Sequence, residues 1–248
     1  MRIIVNGAAG FMGRLVCEKI EAEADKFSIA AKVDAKGGET YSSDITAVTE
    51  ADCIIDFSHH KATPDLLRFA LERGCPLVLA TTGHTEEEKE LITAAAARIP
   101  IFFSANMSLG IAVLASLVKQ AAAMFPEADI EIVEQHHTRK LDVPSGTALM
   151  LAAAVQESRP EAILQVGRHE QGKRDKREIG IHSLRLGNVV GMHEVLIHTG
   201  SQVLSLRHEA VDRGLFADGA LEAARFLVGR KAGLYQMKDL IQAGGADD

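Results

Sequence analysis

Five short apolar segments occur in the first hundred residues, and each has the length of a buried β-strand. They are Ile3–Val5, Phe27–Val33, Cys53–Phe57, Leu77–Leu79 and Ile101–Phe103. Most stretches between them have apolar residues at helical spacing, beginning with Phe11 to about Glu23. Strands separated by helices of this length predict a parallel sheet that is covered by helices on both faces.

Local signals predict where several of these helices begin and end. Thr63, which precedes a proline, is expected to cap a helix that ends at Gly74, because glycine readily adopts the left-handed conformation of a helix end. Thr85 and Glu88 have the Thr-x-x-Glu spacing of a capping box, and the helix after them is predicted to run to about Arg98.

After Asn106 the pattern changes. A long helix is predicted after Ser108, and it ends before Pro126. The next extended segments are separated by glycine-containing turns rather than helices, which predicts a mixed or antiparallel sheet. They are Asp129–Glu134, Ile179–Leu186, His193–His198 and Val203–Glu209. One further helix, Gly219–Val228, returns to the earlier pattern.

Composition narrows the possible function classes. The chain has 248 residues, 47% of them hydrophobic, and 27 Lys and Arg against 34 Asp and Glu give a net charge of −7. A negative chain is poorly matched to nucleic acid or to an anionic membrane, and no apolar run approaches the about 20 residues of a membrane helix. Three widely separated cysteines without a CxxC pair are typical of reduced thiols. We therefore expect a cytoplasmic enzyme.

A glycine-rich loop directly follows the first predicted strand and opens the first helix. It reads Gly7-Ala8-Ala9-Gly10-Phe11-Met12-Gly13, with the spacing G-x-x-G-x-x-G. Gly7 permits a tight turn, Gly10 lets the backbone approach a pyrophosphate, and Gly13 allows close packing of helix on sheet. The pyrophosphate of a dinucleotide is then expected at the helix N-terminus. The alternative is an ordinary strand-to-helix turn.

Asp34 lies at the end of the second predicted strand, 21 residues after Gly13. A carboxylate there accepts hydrogen bonds from an adenosine ribose. Asp34 repels a 2′-phosphate and favours NADH, whereas the nearby Lys36 attracts such a phosphate. We predict that the chain uses both NADH and NADPH, with NADH preferred. If the loop is an ordinary turn, Asp34 is an unrelated surface residue.

Ligands of a parallel sheet lie outside the carboxyl ends of its strands. We therefore expect three segments near the cofactor: Phe57-Ser58, Ala80-Thr81-Thr82-Gly83 and Ser104-Ala105-Asn106-Met107. An equally good interpretation of Thr81 and Thr82 is that their hydroxyls satisfy the backbone of a turn.

These patterns predict an α/β protein with two domains. Residues 1–105 form a dinucleotide-binding domain with a Rossmann-type parallel sheet, to which the C-terminal helices of residues 214–248 return. Residues 106–213 form a second, α+β domain with a mixed or antiparallel sheet, to which we assign substrate binding.

The most informative segment runs from Glu134 to Thr147. His136, His137, Arg139 and Lys140 put four potential cations within five residues of a negative chain, which favours an anionic substrate. Adjacent histidines on a strand point to opposite faces, so both reach one ligand only if the strand ends or bends there. His136 is a candidate general acid, because histidine exchanges protons near neutral pH.

Ser145 is predicted to cap a helix that carries the apolar run Ala148–Val155. The N–H groups of Gly146, Thr147 and the next residue then face an anion, and a carboxylate held there and by Lys140 fits this chemistry. Two other interpretations remain open. One is a solvated basic loop. The other is a metal site that uses Glu134, His136 and one of His169, His182 or His193, although no compact metal-binding motif supports it.

Taken together, the motifs resemble the dihydrodipicolinate reductase family, the 4-hydroxy-tetrahydrodipicolinate reductases, over nearly the whole chain. The most specific match is Glu134-x-His136-His137-x-x-Lys140-x-Asp142-x-Pro144-Ser145-Gly146-Thr147-Ala148. The glycine loop and several shorter motifs add to it: Ala80-Thr81-Thr82-Gly83, Asn106-x-Ser108-x-Gly110, Arg185-x-Gly187, Gly191-x-His193 and Arg213-x-x-Phe216-Ala217-x-Gly219.

The resemblance implies NAD(P)H-dependent reduction of a cyclic imine dicarboxylate in lysine and diaminopimelate biosynthesis. It implies that His136 and Lys140 are the catalytic pair, with either one giving the decisive proton. The implied substrate-binding residues are His137, Ser145, Gly146 and Thr147, and those expected on the nicotinamide side are Thr81, Thr82 and Ser104–Met107. A homotetramer, built through the sheet of the second domain, is also implied.

Three features depart from the family pattern: Ala80 stands where glycine is usual, Ala35 replaces a basic residue, and the stretch from Asp34 to Cys53 is short. Ala35 reinforces the expected preference for NADH. Two rival functions remain, a related dehydrogenase of another small carboxylate and a nucleotide-sensing protein without catalysis. The pairing of His136 with Lys140 argues against the second, since sensing needs no proton donor.

Overall fold

The computed structural model describes residues 1–48 and 50–244, which divide into two compact units. Unit 1 comprises Met1–Ser108 together with the described C-terminal residues from Arg213, and unit 2 comprises Leu109–Asp212. The first boundary lies three residues beyond the 105/106 junction expected from the sequence. The reason is local, because Met107 is buried and its carbonyl oxygen lies against Gly219 of unit 1.

Unit 1 contains a six-stranded sheet in which every pair of neighbours is parallel. Its strands are β1 (Arg2–Asn6), β2 (Ser28–Val33), β3 (Cys53–Asp56), β4 (Leu77–Leu79), β5 (Pro100–Phe103) and β11 (Gly233–Tyr235), in the order β11-β5-β4-β3-β1-β2. Its helices are α1 (Phe11–Ala22), α2 (Thr63–Arg73), α3 (Glu86–Ala96), α6 (Gly214–Leu227) and α7 (Met237–Gly244).

Helices cover both faces of this sheet, as the alternation of strands and helices predicts. Helices α2 and α3 pack with Ile54, Leu77 and Leu79 in one buried core, while α6 packs on β3, β4 and β5 and against α1. All three cysteines are free and buried. No helix in the described part of the chain has the length and apolar character needed to cross a membrane.

Two of the predicted helix ends are confirmed, whereas the predicted starts at Thr63 and Gly219 are wrong, since α6 already begins at Gly214. Gly74 ends α2 with a φ of +61°, and Thr85 and Glu88 form the capping box of α3. Thr63 does not cap α2. It is already the first helical residue, and its hydroxyl pairs with Nε2 of His84 at 2.9 Å, so a tertiary contact replaces the local cap.

Unit 2 is a mixed sheet with helices on one face. Its strands are β6 (Asp129–His136), β7 (Ile163–Val166), β8 (Glu178–Arg185), β9 (Gly191–His198) and β10 (Val203–Ala210), in the order β10-β9-β6-β8-β7. β9 is antiparallel to β6 and β10, whereas the other pairs are parallel. Helices α4 (Leu109–Met124) and α5 (Gly146–Gln156) pack on the apolar side of the central strands.

Candidate active site

The glycine loop forms the turn from β1 to α1, at the carboxyl end of the sheet in unit 1. Gly7 has a φ of +77°, and a Cβ atom there would lie 2.6 Å from the carbonyl oxygen of Phe57. A Cβ on Gly13 would lie 2.1 Å from the carbonyl oxygen of Gly7. Gly10 precedes α1 without a side-chain cap, so the first N–H groups of the helix keep their capacity to bind an anion. The loop fits a dinucleotide pyrophosphate.

Asp34 lies directly beside this loop. Its Oδ2 accepts a hydrogen bond from the Ala9 N–H at 3.2 Å, and its Oδ1 accepts one from the Lys36 N–H at 3.1 Å. The Ala8 N–H donates to the carbonyl oxygen of Val33 at 3.0 Å, which ties the end of β2 to the loop. The carboxylate is therefore close to the helix N-terminus, as a ribose ligand of the same dinucleotide has to be.

A buried carboxylate, Asp56, joins three segments at the same edge of the sheet. It accepts hydrogen bonds from the Asn6 amide at 2.7 Å, the Ser58 hydroxyl at 2.6 Å and the Thr81 hydroxyl at 2.6 Å. Burial raises the pKa of Asp56, and these hydrogen bonds only partly offset that effect. The Thr81 hydroxyl thus binds a side chain rather than a turn backbone, while Thr82 is exposed.

The segment after β5 is organised by its own hydrogen bonds. The Ser104 hydroxyl donates to the carbonyl oxygen of Asn106 at 2.7 Å, and the Asn106 side-chain oxygen accepts from the Ser108 N–H at 2.8 Å. Ala105 is exposed at the tip, whereas Met107 is buried in unit 1. Of the four residues expected near the nicotinamide, Met107 is therefore the one whose side chain packs inward.

In unit 2, the central strand β6 carries Glu134 and His136 on one face, because side chains two residues apart on a strand share a face. Glu134 is fully buried. Its carboxylate contacts His136 Nδ1 at 2.5 Å, two guanidinium nitrogens of Arg185 at 3.0 to 3.1 Å, and the Ser145 N–H at 3.2 Å. The sheet register explains the cluster, since His136 pairs with Arg185 of β8 and Glu134 pairs with His193 of β9.

The donors around Glu134 decide its protonation. Burial acts to raise the pKa of Glu134, but hydrogen bonds from His136 and Arg185 outweigh it and hold the pKa at about 2. The carboxyl group is therefore ionised at neutral pH, inside the unit.

His193 is the second buried histidine of this cluster. Its Nε2 lies 3.0 Å from the Ser145 hydroxyl, and its ring meets the ring of His136 edge to face at 5.1 Å. Burial, followed by the nearby His136, lowers the pKa of His193 to about 4. His193 is therefore neutral at pH 7.

The basic segment follows the end of β6. The strand ends at His136, which meets the condition under which His136 and the next residue, His137, reach one ligand. The Lys140 N–H closes a turn on the carbonyl oxygen of His137 at 3.1 Å, and the Lys140 ammonium pairs with Asp142 at 2.8 Å. The segment thus forms a hydrogen-bonded turn at the end of β6, with Arg139 and Leu141 exposed.

Ser145 caps α5, as the sequence predicts. Its hydroxyl accepts a hydrogen bond from the Ala148 N–H at 3.2 Å. The expectation that this third N–H faces an anion is therefore wrong, because the cap itself occupies it. Gly146 is exposed, and a Cβ atom on it would meet nothing within 4 Å, so a ligand has free access to the start of the helix.

Two family models match the chain. The model described as "Dihydrodipicolinate reductase, N-terminus" matches residues 1–107, and the one described as "Dihydrodipicolinate reductase, C-terminus" matches residues 110–241. The chain belongs to the dihydrodipicolinate reductase family. The second match continues past unit 2 into the C-terminal part of unit 1, which agrees with a chain that leaves the first unit and returns to it.

Relatives of this family have the same length as the chain. A 4-hydroxy-tetrahydrodipicolinate reductase from Caldanaerobacter subterraneus subsp. tengcongensis is 46% identical over 98% of this chain and 99% of its own. One from Alkaliphilus metalliredigens is 43% identical over 97% and 99%. The structure of a dipicolinate-bound dihydrodipicolinate reductase from Paenisporosarcina sp. TG-14 shares the fold, with a TM-score of 0.79 at 23% identity over 96% of this chain and 98% of that one.

For this member of the dihydrodipicolinate reductase family, sequence reasoning missed the partners of His136. Glu134 entered only as part of a motif and as one member of a hypothetical metal site, and Arg185 and His193 only as parts of short motifs. A usable signal was present, since Glu134 and His136 are two residues apart on a predicted strand. The described residues contain no group of three or more His, Cys, Asp or Glu placed to hold a metal ion.

Proposed function

We propose that this chain reduces 4-hydroxy-tetrahydrodipicolinate with NAD(P)H and a proton, which yields tetrahydrodipicolinate, NAD(P)⁺ and water, in lysine and diaminopimelate biosynthesis. The observation that carries the proposal is the buried Glu134–His136 pair, joined to the start of α5 through the Ser145 N–H and followed in the chain by Lys140, in a member of the dihydrodipicolinate reductase family. The name of its relatives, 4-hydroxy-tetrahydrodipicolinate reductase, gives the substrate.

In the proposed reaction, unit 1 holds the nicotinamide cofactor, which supplies a hydride when it is bound. The side-chain-free cradle of Gly7, Gly10 and Gly13 receives the pyrophosphate, and Asp34 accepts hydrogen bonds from the ribose. The remaining contacts fall to Ala8, Ala9, Phe11 and Met12 of the loop and to Ala80, Thr81, Thr82, Ser104, Ala105, Asn106 and Met107 at the carboxyl ends of β4 and β5.

Unit 2 supplies charge and a proton. Two substrate carboxylates need two cationic or N–H-rich positions, which are the Lys140 ammonium and the start of α5 at Ser145, Gly146 and Thr147, with His137 beside them. His136 and Lys140 are the two groups able to give the proton that accompanies hydride transfer.

The direct test is oxidation of NADH or NADPH, with the substrate generated in place from pyruvate and aspartate semialdehyde by the upstream synthase. We expect turnover in the presence of the complete mixture and none without the synthase. If the folded protein binds NADH but gives no turnover, the nucleotide-sensing alternative is favoured. If turnover requires another small carboxylate, the related dehydrogenase is the correct function.

Variants of His136 and Lys140 test which of these two residues donates the proton. We expect His136→Gln and Lys140→Ala each to lower kcat by about 10²–10⁴ if the replaced residue gives the proton. If the replaced residue only holds a substrate carboxylate, its loss raises KM instead. NADH binding survives in both. His182→Gln is a matched control, because His182 lies on β8 and pairs with Glu131, and its kinetics should equal those of the unmodified protein.

For cofactor choice, we propose that both dinucleotides are used and that NADH is preferred, since Asp34 faces the glycine loop and repels a 2′-phosphate. Replacement of Asp34 by Asn should weaken NADH binding and narrow the ratio of the two dissociation constants. A strict preference of the unmodified protein for NADPH would contradict this assignment.

We also propose that the chain forms a homotetramer through the sheet of unit 2 and works in the cytoplasm. The edge strand β7 exposes Ile163, Leu164 and Val166, and an exposed apolar edge strand favours association. Three buried free thiols suit a reducing compartment. Light scattering tests the assembly, and a charged residue in place of Leu164 should shift it toward smaller species.

A further inference from the structure

Glu134 is a buried carboxylate that none of the proton and carboxylate roles above requires. Four donors converge on it from three elements, namely Nδ1 of His136, two nitrogens of Arg185 and the Ser145 N–H. An ionised carboxylate is only an acceptor, with about four lone-pair sites, so these four donors fill its acceptor sites.

This arrangement determines where the proton of His136 sits. With its pKa held at about 2, Glu134 has no proton to donate at neutral pH. The contact of 2.5 Å between Glu134 and Nδ1 of His136 therefore needs a proton on Nδ1. In a neutral imidazole, a proton on Nδ1 leaves Nε2 as the acceptor.

The other ring nitrogen of His136 faces a space that Gly191 keeps open. A Cβ atom on Gly191 would lie 3.1 Å from Nε2 of His136 and 3.9 Å from Cε1 of His193. Within the described residues, Nε2 of His136 has no hydrogen-bond partner, whereas Nε2 of His193 is paired with the Ser145 hydroxyl. The Nε2 atom of His136 is thus unpaired on the side of the ring opposite Glu134.

We propose that Glu134 is the positioning residue of the reaction: it holds one proton of His136 on Nδ1, so that Nε2 is the nitrogen that takes up a second proton from solvent and gives it to the substrate. The same carboxylate binds the Ser145 N–H, so it also sets the start of α5 relative to the His136 ring. This inference rests on the proposed function, in which His136 is a proton donor and α5 receives a carboxylate.

The test replaces Glu134 by Gln, which offers one acceptor oxygen and two N–H donors. Arg185 has no acceptor, so its guanidinium draws the amide oxygen, and the amide nitrogen is left toward Nδ1 of His136. We expect ¹⁵N NMR of His136, in its neutral form, to show the proton on Nδ1 in the unmodified protein and on Nε2 in Glu134→Gln. We expect kcat to fall about 10- to 100-fold, with a smaller rise in KM for the dicarboxylate because the Ser145 N–H at the start of α5 also loses its acceptor.

Glu131→Gln is a matched control. Glu131 lies on the same strand and also pairs with a histidine and an arginine, His182 at 2.9 Å and Arg174 at 3.2 Å. Its replacement should leave both the His136 spectrum and kcat unchanged.

Two results would overturn the proposal: a proton on Nε2 of His136 in the unmodified protein, or a Glu134→Gln variant with unchanged kcat. The spectrum of the unmodified protein decides the question even where Glu134→Gln does not fold. Because that spectrum needs no substrate, it also separates this inference from the proposed function, which fails when the unmodified protein gives no turnover.

Discussion

The two units each bury one carboxylate near the carboxyl end of a central strand, and the two groups behave in opposite ways. Asp56 of unit 1 and Glu134 of unit 2 are both fully buried. Asp56 is surrounded by neutral donors, the amide of Asn6 and the hydroxyls of Ser58 and Thr81, and its pKa is raised because burial dominates. The pKa of Glu134 is lowered to about 2, because the donors include Arg185 and His136.

The difference shows that the charge of the donors, more than their number, sets the state of a buried carboxylate. Hydrogen bonds to an ionised partner are roughly twice as strong as those between neutral groups. Asp56 accordingly joins loops through neutral donors, which suits a rigid cradle for a cofactor. Glu134 keeps a fixed negative charge next to the candidate proton donor, which suits a reaction that moves a proton.

The largest expected effect on this contrast comes from a pair of isosteric replacements. We expect Glu134→Gln to destabilise the protein by about 3–5 kcal/mol, because it leaves the Arg185 guanidinium uncompensated inside the cluster. Asp56→Asn should change stability by less than about 1 kcal/mol, since the Asn oxygen still accepts from Asn6 and Ser58 and the Thr81 hydroxyl can accept from the new amide. Urea unfolding at pH 7, followed by circular dichroism, measures both.

Equal losses in these two variants would contradict the contrast, because they would mean that burial rather than donor charge controls both sites. The Glu131→Gln protein serves as reference. Glu131 is only partly buried, so its replacement should cost less than that of Glu134.

The second test uses pH. Folding lowers the pKa of His193 from about 6.5 to about 4, so the folded state favours the neutral ring. The resulting contribution of His193 to the free energy of unfolding is fully present above pH 6.5. It is lost as the pH falls toward 4, because His193 of the unfolded chain is already protonated there. The loss approaches about 3 kcal/mol. The contribution of Asp56 to stability has the opposite pH dependence, since its raised pKa favours folding at low pH.

Hydrogen exchange measures this effect in each unit. Between pH 6.5 and 4.5, the amides of β6 should lose protection more steeply than those of β3. The variant His193→Gln, which can still reach Ser145, should flatten the pH dependence of β6. A β6 profile that is the same in both proteins would show that His193 does not control the acid sensitivity of unit 2.

The elements that the sequence predicted well depend on local interactions. The Thr85–Glu88 box, the left-handed Gly74 and the Ser145 cap each involve residues within a few positions of one another. The glycine loop is similar, because its spacing matters through contacts such as that between Gly13 and Gly7. Local chemistry fixes these features, so a single sequence is enough to predict them.

The features that the sequence did not predict depend on residues far apart in the chain. Thr63 is bound by His84 rather than by its own helix, and the two short edge strands β7 and β11 exist through pairing with β8 and β5. The contact of Glu134 with Arg185 joins residues 51 positions apart. Cross-strand register creates it, and register follows from the folded sheet rather than from any local pattern.

The smallest predicted effect concerns the side of the His136 ring that faces Gly191. Gly191→Ala would place a methyl group 3.1 Å from Nε2, which is close enough to force a shift of a few tenths of an ångström. Glu134, which Arg185 binds in turn, holds the ring at Nδ1, so we expect the shift to disturb proton transfer more than folding. We predict a fall in kcat of about tenfold, or about 1.4 kcal/mol in the barrier, with stability changed by less than about 1 kcal/mol.

Gly172→Ala is the control, because a Cβ atom there meets nothing within 4 Å, and its kcat should match that of the unmodified protein. A normal rate in Gly191→Ala would mean that Nε2 does not need this space and that the working proton leaves from Lys140 instead. If the rate of Gly191→Ala stays low at saturating substrate concentration, the effect lies in kcat. That result would tie the proton to the nitrogen opposite Glu134 and set unit 2 apart from unit 1, where the donors to the buried carboxylate of Asp56 are uncharged.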